Sequence, residues 1–177
     1  MDPLAGQILL LSGSPGSGKT TAAEALANLP GGKKVHLHTD DFWGYIKQGH
    51  IDPWLPEADA QNRMVMRIAG NVAALYAQEA YFVAVDGVIR PAMLPYYRIA
   101  GVTTHYIVLR TSVEEAVERC RSRGGDSLAD PGVVAELHRQ FADLDEHEKH
   151  ALAVDGMSRH DTLRAVVAAL ESNRFRV

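Results

Sequence analysis

The feature that most constrains this chain is the run Gly13-Ser14-Pro15-Gly16-Ser17-Gly18-Lys19-Thr20, which fits the pattern G-x-x-x-x-G-K-[ST]. Glycines in such a run let the backbone turn so that successive N–H groups point inward and form a nest for an anion. The lysine of the pattern reaches the β- and γ-phosphates of a nucleotide, and the hydroxyl after it can ligate Mg²⁺. We therefore predict that residues 13–20, called the phosphate-binding loop below, bind a nucleoside triphosphate.

The residues on either side of the phosphate-binding loop support this prediction. Gln7–Ser12 is a short apolar run typical of a buried strand, and Thr21–Leu29 is rich in alanine and leucine, which favours a helix. The loop would then lie at a helix N-terminus, where the helix dipole favours phosphate. We include Thr21, the residue directly after the loop, among the predicted nucleotide-binding residues.

Five apolar segments predict β-strands, and helical patterns separate them. The segments are Gln7–Ser12, Val35–Thr39, Tyr81–Asp86, Thr103–Leu109 and Ala151–Asp155. The helical patterns after the first helix cover Ala58–Glu79, Ser112–Arg121, Asp130–Lys149 and Asp161–Asn173. Strands alternating with helices imply an α/β fold with a five-stranded parallel sheet covered by helices on both faces. We expect a single domain spanning residues 1–177.

Composition disfavours several classes of protein. The net charge of −4 argues against general nucleic-acid binding, and the single cysteine, Cys120, excludes a disulfide framework or a cysteine zinc site. Among the eight histidines, neither the pair His36 and His38 nor the pair His147 and His150 has a third ligand nearby at a familiar metal-binding spacing. The N-terminus lacks the features of a signal peptide, and no apolar run approaches the roughly 18 residues of a membrane span. We expect a cytoplasmic protein with no membrane partner.

Acidic residues follow two neighbouring strands of the predicted sheet. Asp40 and Asp41 come after the second strand, and Asp86 ends the third. Ligands of open α/β sheets bind beyond the carboxyl ends of the strands, so these carboxylates would lie near the γ-phosphate. A carboxylate there can hold Mg²⁺ or accept a proton from an attacking hydroxyl, whereas a single Asp can also simply cap a loop. We predict that Asp40 is catalytic and binds the metal together with Thr20, and that Asp41 and Asp86 contact the acceptor.

Two stretches interrupt the alternation of strands and helices. The first, Phe42 to about Glu57, precedes a long helix, and residues 42–80 together form a predicted acceptor-binding region. Its residues Trp43, Tyr45, Trp54 and Pro56 predict a partly aromatic pocket, although such spacings also occur in ordinary packing.

The second stretch, residues 119–131, is predicted to be a lid. Arg119 and Arg123 are four residues apart, which places them on one helix face, and Gly124-Gly125 offers a flexible joint. Arginine binds phosphate through two parallel hydrogen bonds and stabilises charge that spreads onto phosphoryl oxygens. Arg119 would bind the nucleotide and Arg123 would act in catalysis. The alternative is a solvated helix end paired with the glutamates of the same helix.

These motifs resemble the small P-loop kinases that include shikimate, gluconate and adenylate kinases and chloramphenicol phosphotransferase. The resemblance covers nearly the whole chain and implies the P-loop NTPase fold. Asp40-Asp41-Phe42 is similar to the acidic motif that carries the catalytic base in uridine kinase and chloramphenicol phosphotransferase, which implies that Asp40 is the base. The segment from Asp86 to Arg90 is similar to the Asp-Gly-Phe-Pro-Arg motif of nucleoside monophosphate kinases, in which the arginine binds the acceptor phosphate. Here Val88 and Ile89 replace the aromatic residue and the proline.

Two activities remain open on this basis, both using ATP and Mg²⁺. One is a kinase that phosphorylates a hydroxyl of a small-molecule acceptor, with Asp40 as base. The other is a nucleoside monophosphate kinase, which needs no base but needs acceptor-side arginines such as Arg90. A GTP-dependent switch is disfavoured, because the chain contains no Asn-Lys-x-Asp motif for guanine. A nucleotide-binding module without catalytic activity is the less favoured alternative, because Lys19, Thr20 and Asp40 are all present. The sequence makes no prediction of the oligomeric state.

Overall fold

A five-stranded parallel sheet forms the centre of the molecule. The computed structural model describes residues 3–123 and 130–177, except for the side chain of Arg123. The strands are β1 (Ile8–Gly13), β2 (Lys34–His38), β3 (Phe82–Asp86), β4 (Thr104–Arg110) and β5 (Ala151–Ala153). They lie in the order β2-β3-β1-β4-β5, and every pairing is parallel. The predicted parallel α/β sheet is confirmed, and its strand bounds differ from the predicted ones by at most two residues.

Helices cover both faces of the sheet. They are α1 (Lys19–Ala27), α2 (Thr39–Gly44), α3 (Asp59–Gln78), α4 (Val113–Arg123), α5 (Pro131–Arg139) and α6 (Arg159–Glu171). Three 3₁₀ segments, Pro56–Ala58, Pro91–Tyr97 and Asp145–His150, lie between them. Side-chain hydrogen bonds cap the N-termini of several of these helices, as the sequence suggests. Ser112 Oγ accepts a hydrogen bond from the Glu115 N–H at 3.3 Å before α4, and Asp130 accepts from the N–H groups of Gly132 and Val133 at α5.

The prediction of one helix from Asp130 to Lys149 is wrong in its second half. Helix α5 ends at Arg139, and the chain then buries Phe141 and Leu144 in the core. Arg110 Nε donates to the Phe141 carbonyl at 3.1 Å, so a tertiary hydrogen bond satisfies an acceptor that a continuing helix would use. Asp145 then adopts a φ of 49°, which no α-helix accommodates.

Alternate residues of β1 supply the two halves of the hydrophobic core. Ile8 and Leu10 pack on the side of α3 and the Pro91–Tyr97 segment, whereas Leu9 and Leu11 pack on the side of α1 and α6. The period of two places successive side chains on opposite faces of the sheet, and burial on both faces makes the strand continuously apolar. Among the described residues, no helix combines the length and apolarity that crossing a membrane would require.

Candidate active site

The phosphate-binding loop connects β1 to α1 and packs against α4. Gly18 precedes α1 with a φ of 91°, and Gly16 has a φ of 80°. A Cβ atom on Gly16 would lie 2.3 Å from the Ala116 carbonyl oxygen, so only glycine fits at this position. The largely buried Lys19 donates from Nζ to the Ser14 carbonyl at 3.2 Å, which lays its ammonium group along the loop. The loop therefore has the compact form and cationic centre expected of a phosphate site.

Asp86 lies directly behind the first turn of α1. It ends β3 beside β1, where it is in register with Leu11, and its side chain is fully buried. The Thr20 hydroxyl donates to Asp86 Oδ2 at 2.6 Å. A hydroxyl and a carboxylate are the hard oxygen ligands that Mg²⁺ prefers. The donor set at this point thus fits the metal ion that the phosphate-binding loop implies.

Two histidines of β2 hold the same carboxylate. His36 Nε2 lies 2.6 Å from Asp86 Oδ1, and His38 Nδ1 lies 3.1 Å from Oδ2 and 3.2 Å from Oδ1. Burial alone would raise the pKa of Asp86, but the hydrogen bonds from His36, His38 and Thr20 outweigh it and hold that pKa well below its usual range. Asp86 is therefore ionised at neutral pH.

His36 and His38 were not among the site residues predicted from the sequence. Part of the signal was present, because residues two apart on a strand share a face. The pairing of β2 with the strand that ends in Asp86 is known only from the fold. The hydrogen bond to Asp86 raises the pKa of His38; burial opposes this effect, and the charges of Asp86, Asp40 and Asp41 add to it. His38 also faces Asp40, because its Nε2 lies 3.5 Å from Asp40 Oδ2.

The two acidic residues after β2 lie in different surroundings. Both belong to the first turn of α2. Asp40 lines the main cavity with its side chain 66% exposed, where it is accessible to a ligand. Asp41 is exposed and is not among the described residues that line this cavity.

The main cavity extends from the phosphate-binding loop to the predicted acceptor-binding region. Its volume is about 920 Å³. Its lining includes the loop residues Pro15, Lys19 and Thr20, followed by Thr21, His38 and Asp40, and on the far side Trp43, Trp54, Pro56 and Arg90. Of the four residues that predicted an aromatic pocket, only Tyr45 lies outside the described lining, and it is 70% exposed.

Arg90 is placed in the cavity by a tightly held backbone segment. Ser12 Oγ donates to the Ile89 carbonyl at 2.7 Å and accepts from the Ile89 N–H at 3.0 Å, and the Tyr106 hydroxyl donates to the same carbonyl at 2.8 Å. Proline at position 89 would have no N–H to donate to Ser12. The departure from the monophosphate kinase motif therefore has a local structural cause.

Arg119 lies beside the phosphate-binding loop. Its guanidinium contacts Glu115 and donates to the carbonyls of Gly16 and Met157 at 3.4 Å each. A second cavity of about 230 Å³ lies next to it, lined also by Gly18, Thr21 and Arg159. Within the predicted lid, the side chain of Arg123 and residues 124–129 with Gly124-Gly125 fall outside the described residues.

Comparison with known proteins identifies the family. A family model for the AAA domain matches residues 9–139, which is most of the chain. The chain belongs to this family. No curated protein matches the chain.

Solved structures similar to this AAA domain protein include several kinases of small molecules. A gluconokinase from Sinorhizobium meliloti 1021 has a TM-score of 0.72 at 19% identity, covering 94% of this chain and 92% of the other. A shikimate kinase from Acinetobacter baumannii, in complex with shikimate, has a TM-score of 0.62 at 21% identity and 94% coverage of each chain. The APS kinase CysC from Mycobacterium tuberculosis has a TM-score of 0.67 at 18% identity, covering 96% and 99%. The expected P-loop kinase fold is confirmed.

Proposed function

We propose that this protein is an ATP-dependent phosphotransferase that moves the γ-phosphoryl group of Mg-ATP to a hydroxyl of a small molecule. The observation that carries the proposal is that one cavity is lined both by Lys19 and Thr20 of the phosphate-binding loop and by the accessible carboxylate of Asp40. Phosphoryl transfer needs positioning and charge stabilisation more than covalent chemistry from the protein. Both are available in this cavity.

The nucleotide end of the cavity would bind the triphosphate. The backbone N–H groups of the phosphate-binding loop and Lys19 would hold the β- and γ-phosphates. Thr20, backed by Asp86, would hold Mg²⁺, which when bound neutralises charge on the phosphoryl oxygens. We therefore assign Asp86 to the metal side, because its carboxylate lies behind Thr20 and does not line the cavity. Arg119 and the small cavity beside it would take the nucleoside part of ATP.

The acceptor end would bind the alcohol beside Asp40. Asp40 would orient the hydroxyl and accept its proton while the hydroxyl oxygen bonds to the γ-phosphorus. The bond between that phosphorus and the β,γ-bridging oxygen breaks, ADP leaves, and the proton passes from Asp40 to solvent. Additional metal binding by Asp40, acceptor binding by Asp41 and phosphate contact by Arg123 remain predictions.

A nucleoside monophosphate kinase is the second candidate, and one observation favours it. Arg90 lines the cavity on the acceptor side, where it could bind the phosphate of a nucleotide acceptor. Such an acceptor is already an anion, so Asp40 would then have no proton to accept.

Steady-state ADP release from Mg-ATP, measured with alcohol acceptors and with CMP, distinguishes the two candidates. We expect Asp40→Asn to lower kcat with alcohols by about 10²–10⁴-fold, the usual contribution of a positioned base, while ATP affinity stays the same. Asp145→Asn, which removes an exposed carboxylate outside the described cavity lining, is the matched control. Lys19→Ala should instead weaken ATP binding, measured by calorimetry, because it removes a charge-assisted contact worth on the order of 2–3 kcal/mol.

The opposite pattern would support the second candidate. In that case CMP is phosphorylated efficiently, Arg90→Ala raises the KM for CMP strongly, and Asp40→Asn is tolerated. If no acceptor increases ADP release above the rate in water and ATP does not bind, the protein is not a phosphotransferase.

A further inference from the structure

The acceptor side of the main cavity has a chemical character of its own. We propose that the acceptor is an uncharged alcohol that carries an aromatic or other apolar group, bound against Trp43 and Trp54. This inference rests on the proposed function, since it concerns the acceptor of the same reaction. Three observations carry it: the apolar wall, the way this wall is held, and the balance of charges around it.

Apolar side chains from several elements form the acceptor-side wall. Trp43 comes from α2, Met66 from α3, and Met93 from the 3₁₀ segment after β3. Trp54 and Leu55 complete the wall and are 44% and 42% exposed. Adjacent large apolar side chains left open on a concave surface are typical of a ligand site, because covering them removes apolar area from water. A ligand with an apolar group would cover them.

Two side chains at the start of α3 hold this wall in place. The Gln61 side-chain amide donates to the Ile51 carbonyl at 2.7 Å and accepts from the Ile51 N–H at 3.2 Å. Asn62 donates to the Pro53 carbonyl at 2.8 Å and accepts from the indole N–H of Trp43 at 3.1 Å. Asn62 thus joins Trp43 to the residue before Trp54. A wall that is already ordered costs little further entropy when a ligand binds.

The charges around the cavity disfavour an anionic acceptor. Among the described lining residues, the carboxylates are Glu24, Asp40 and Asp52, and the lysine and arginine side chains are Lys19 and Arg90. Lys19 belongs to the phosphate-binding loop, which leaves Arg90 on the acceptor side. The lining histidines His38 and His50 lie 3.5 Å from Asp40 and 3.9 Å from Asp52. A carboxylate or phosphate on the acceptor would therefore meet Arg90 as its one permanent positive charge, together with the repulsion of these two aspartates. An uncharged acceptor avoids this repulsion and still places its hydroxyl at Asp40.

A matched series of diols tests the inference directly. The probes share the 1,2-diol unit HOCH2–CH(OH)– and differ in the group attached to it: 3-phenoxy-1,2-propanediol, glycerol itself, glycerate and glycerol 3-phosphate. Both tryptophans of the chain line the cavity, so intrinsic fluorescence reports on binding. The measurement uses the full chain with Mg²⁺ and a non-hydrolysable ATP analogue. We expect the phenoxy compound to bind at least about tenfold more tightly than the other three. Burial of two methylene groups strengthens binding by about tenfold, and the phenyl ring buries more apolar surface than that.

Substitutions in the acceptor-side wall separate a loss of the preference for the phenoxy compound from a general loss of folding or of nucleotide binding. Trp54→Ala should remove most of the preference for the phenoxy compound, with Trp43 left as the reporter, and Trp54→Phe should keep it. Tyr45→Ala is the matched control, because Tyr45 is an aromatic residue of the same region whose side chain lies outside the described lining. The affinity for the ATP analogue should stay constant in all three variants.

Several results would overturn the inference. They are equal binding of all four diols, an unchanged preference in Trp54→Ala, or tighter binding of glycerate or glycerol 3-phosphate that is lost in Arg90→Ala. ADP release distinguishes this failure from failure of the proposed function. Phosphorylation of a charged diol in preference to the phenoxy compound leaves the phosphotransferase standing and rejects the apolar acceptor. If the phenoxy compound binds tightly but no alcohol stimulates the release of ADP from Mg-ATP, the result supports an apolar ligand at this site and rejects phosphoryl transfer.

Discussion

At the scale of single residues, the geometry of the proposed nucleotide end of the main cavity depends on Asp86. It is fully buried, and Thr20, His36 and His38 supply its hydrogen bonds. A buried ionised carboxylate is stable only when such donors replace its lost water. The same bonds fix the direction of the Thr20 hydroxyl toward Asp86, so the oxygen lone pairs of Thr20 are left for a ligand.

Removing one of these donors should destabilise the protein measurably. We expect His36→Leu to lower the free energy of unfolding at pH 7 by about 1.5–3 kcal/mol, the usual worth of a hydrogen bond to a charged group. His36→Gln should cost less, because its amide can still donate to Asp86. Urea denaturation of the two variants and the wild type measures the difference. Equal losses in both variants would mean that the hydrogen bond contributes nothing and that only the ring packing matters.

At the scale of elements, strands and helices with local signals were predictable from the sequence. The apolar runs of β1 and β4 gave their bounds to within one residue, because burial on both faces leaves few other residue types possible. The end of α5 was not predictable. It depends on the side chain of Arg110, which reaches the Phe141 carbonyl across the fold. No local pattern around residue 140 encodes that contact.

The predicted lid, residues 119–131, connects helices α4 and α5. Helix α4 enters it with Arg119 against the phosphate-binding loop, and Asp130 caps α5 at its end. Closure over the phosphates would exclude water from the transfer. We expect amide hydrogen exchange in this stretch to slow when a non-hydrolysable ATP analogue and an acceptor are both bound. Exchange in residues 166–171, the part of α6 outside the described lining of both cavities, should change much less and serves as the internal control. An unchanged rate in residues 119–131 would show that this stretch is not a lid.

At the scale of the whole molecule, the strand order brings the site together. Strands β2, β3 and β1 are neighbours, so their carboxyl ends place Asp40, Asp86 and the phosphate-binding loop side by side. The sequence predicted that these groups lie at a common edge of the sheet, because the carboxyl ends of parallel strands all lie at the same edge. It could not predict the strand order, which decides that His36 and His38 of β2 reach Asp86 of β3. The proposed acceptor-side wall was predictable only in part, because Asn62 joins Trp43 to Pro53 through tertiary hydrogen bonds that no local sequence pattern encodes.

The whole molecule should also lose stability in mild acid, and His105 is one identifiable cause. Its ring is fully buried in β4, with Nε2 lying 2.7 Å from Gln7 Oε1. Its Nδ1 has no hydrogen-bond partner among the described residues, so a proton added there would be a buried donor without an acceptor. Burial, with a smaller contribution from the charge of Arg176, lowers the pKa of His105 to about 4.

The sign of the pH effect follows from this shift. The pKa of a histidine in the unfolded chain is roughly 6.5, so between about pH 6.5 and pH 4 the unfolded chain binds more protons than the folded one. The contribution of His105 to the free energy of unfolding therefore falls as the pH drops through that window. We expect His105→Gln, which keeps a side-chain amide opposite Gln7, to flatten the dependence of the free energy of unfolding on pH between pH 6.5 and 4.5 in urea titrations. His160→Gln, at an exposed histidine, should leave the slope as in the wild type. If both variants keep the wild-type slope, His105 is not a source of the acid sensitivity.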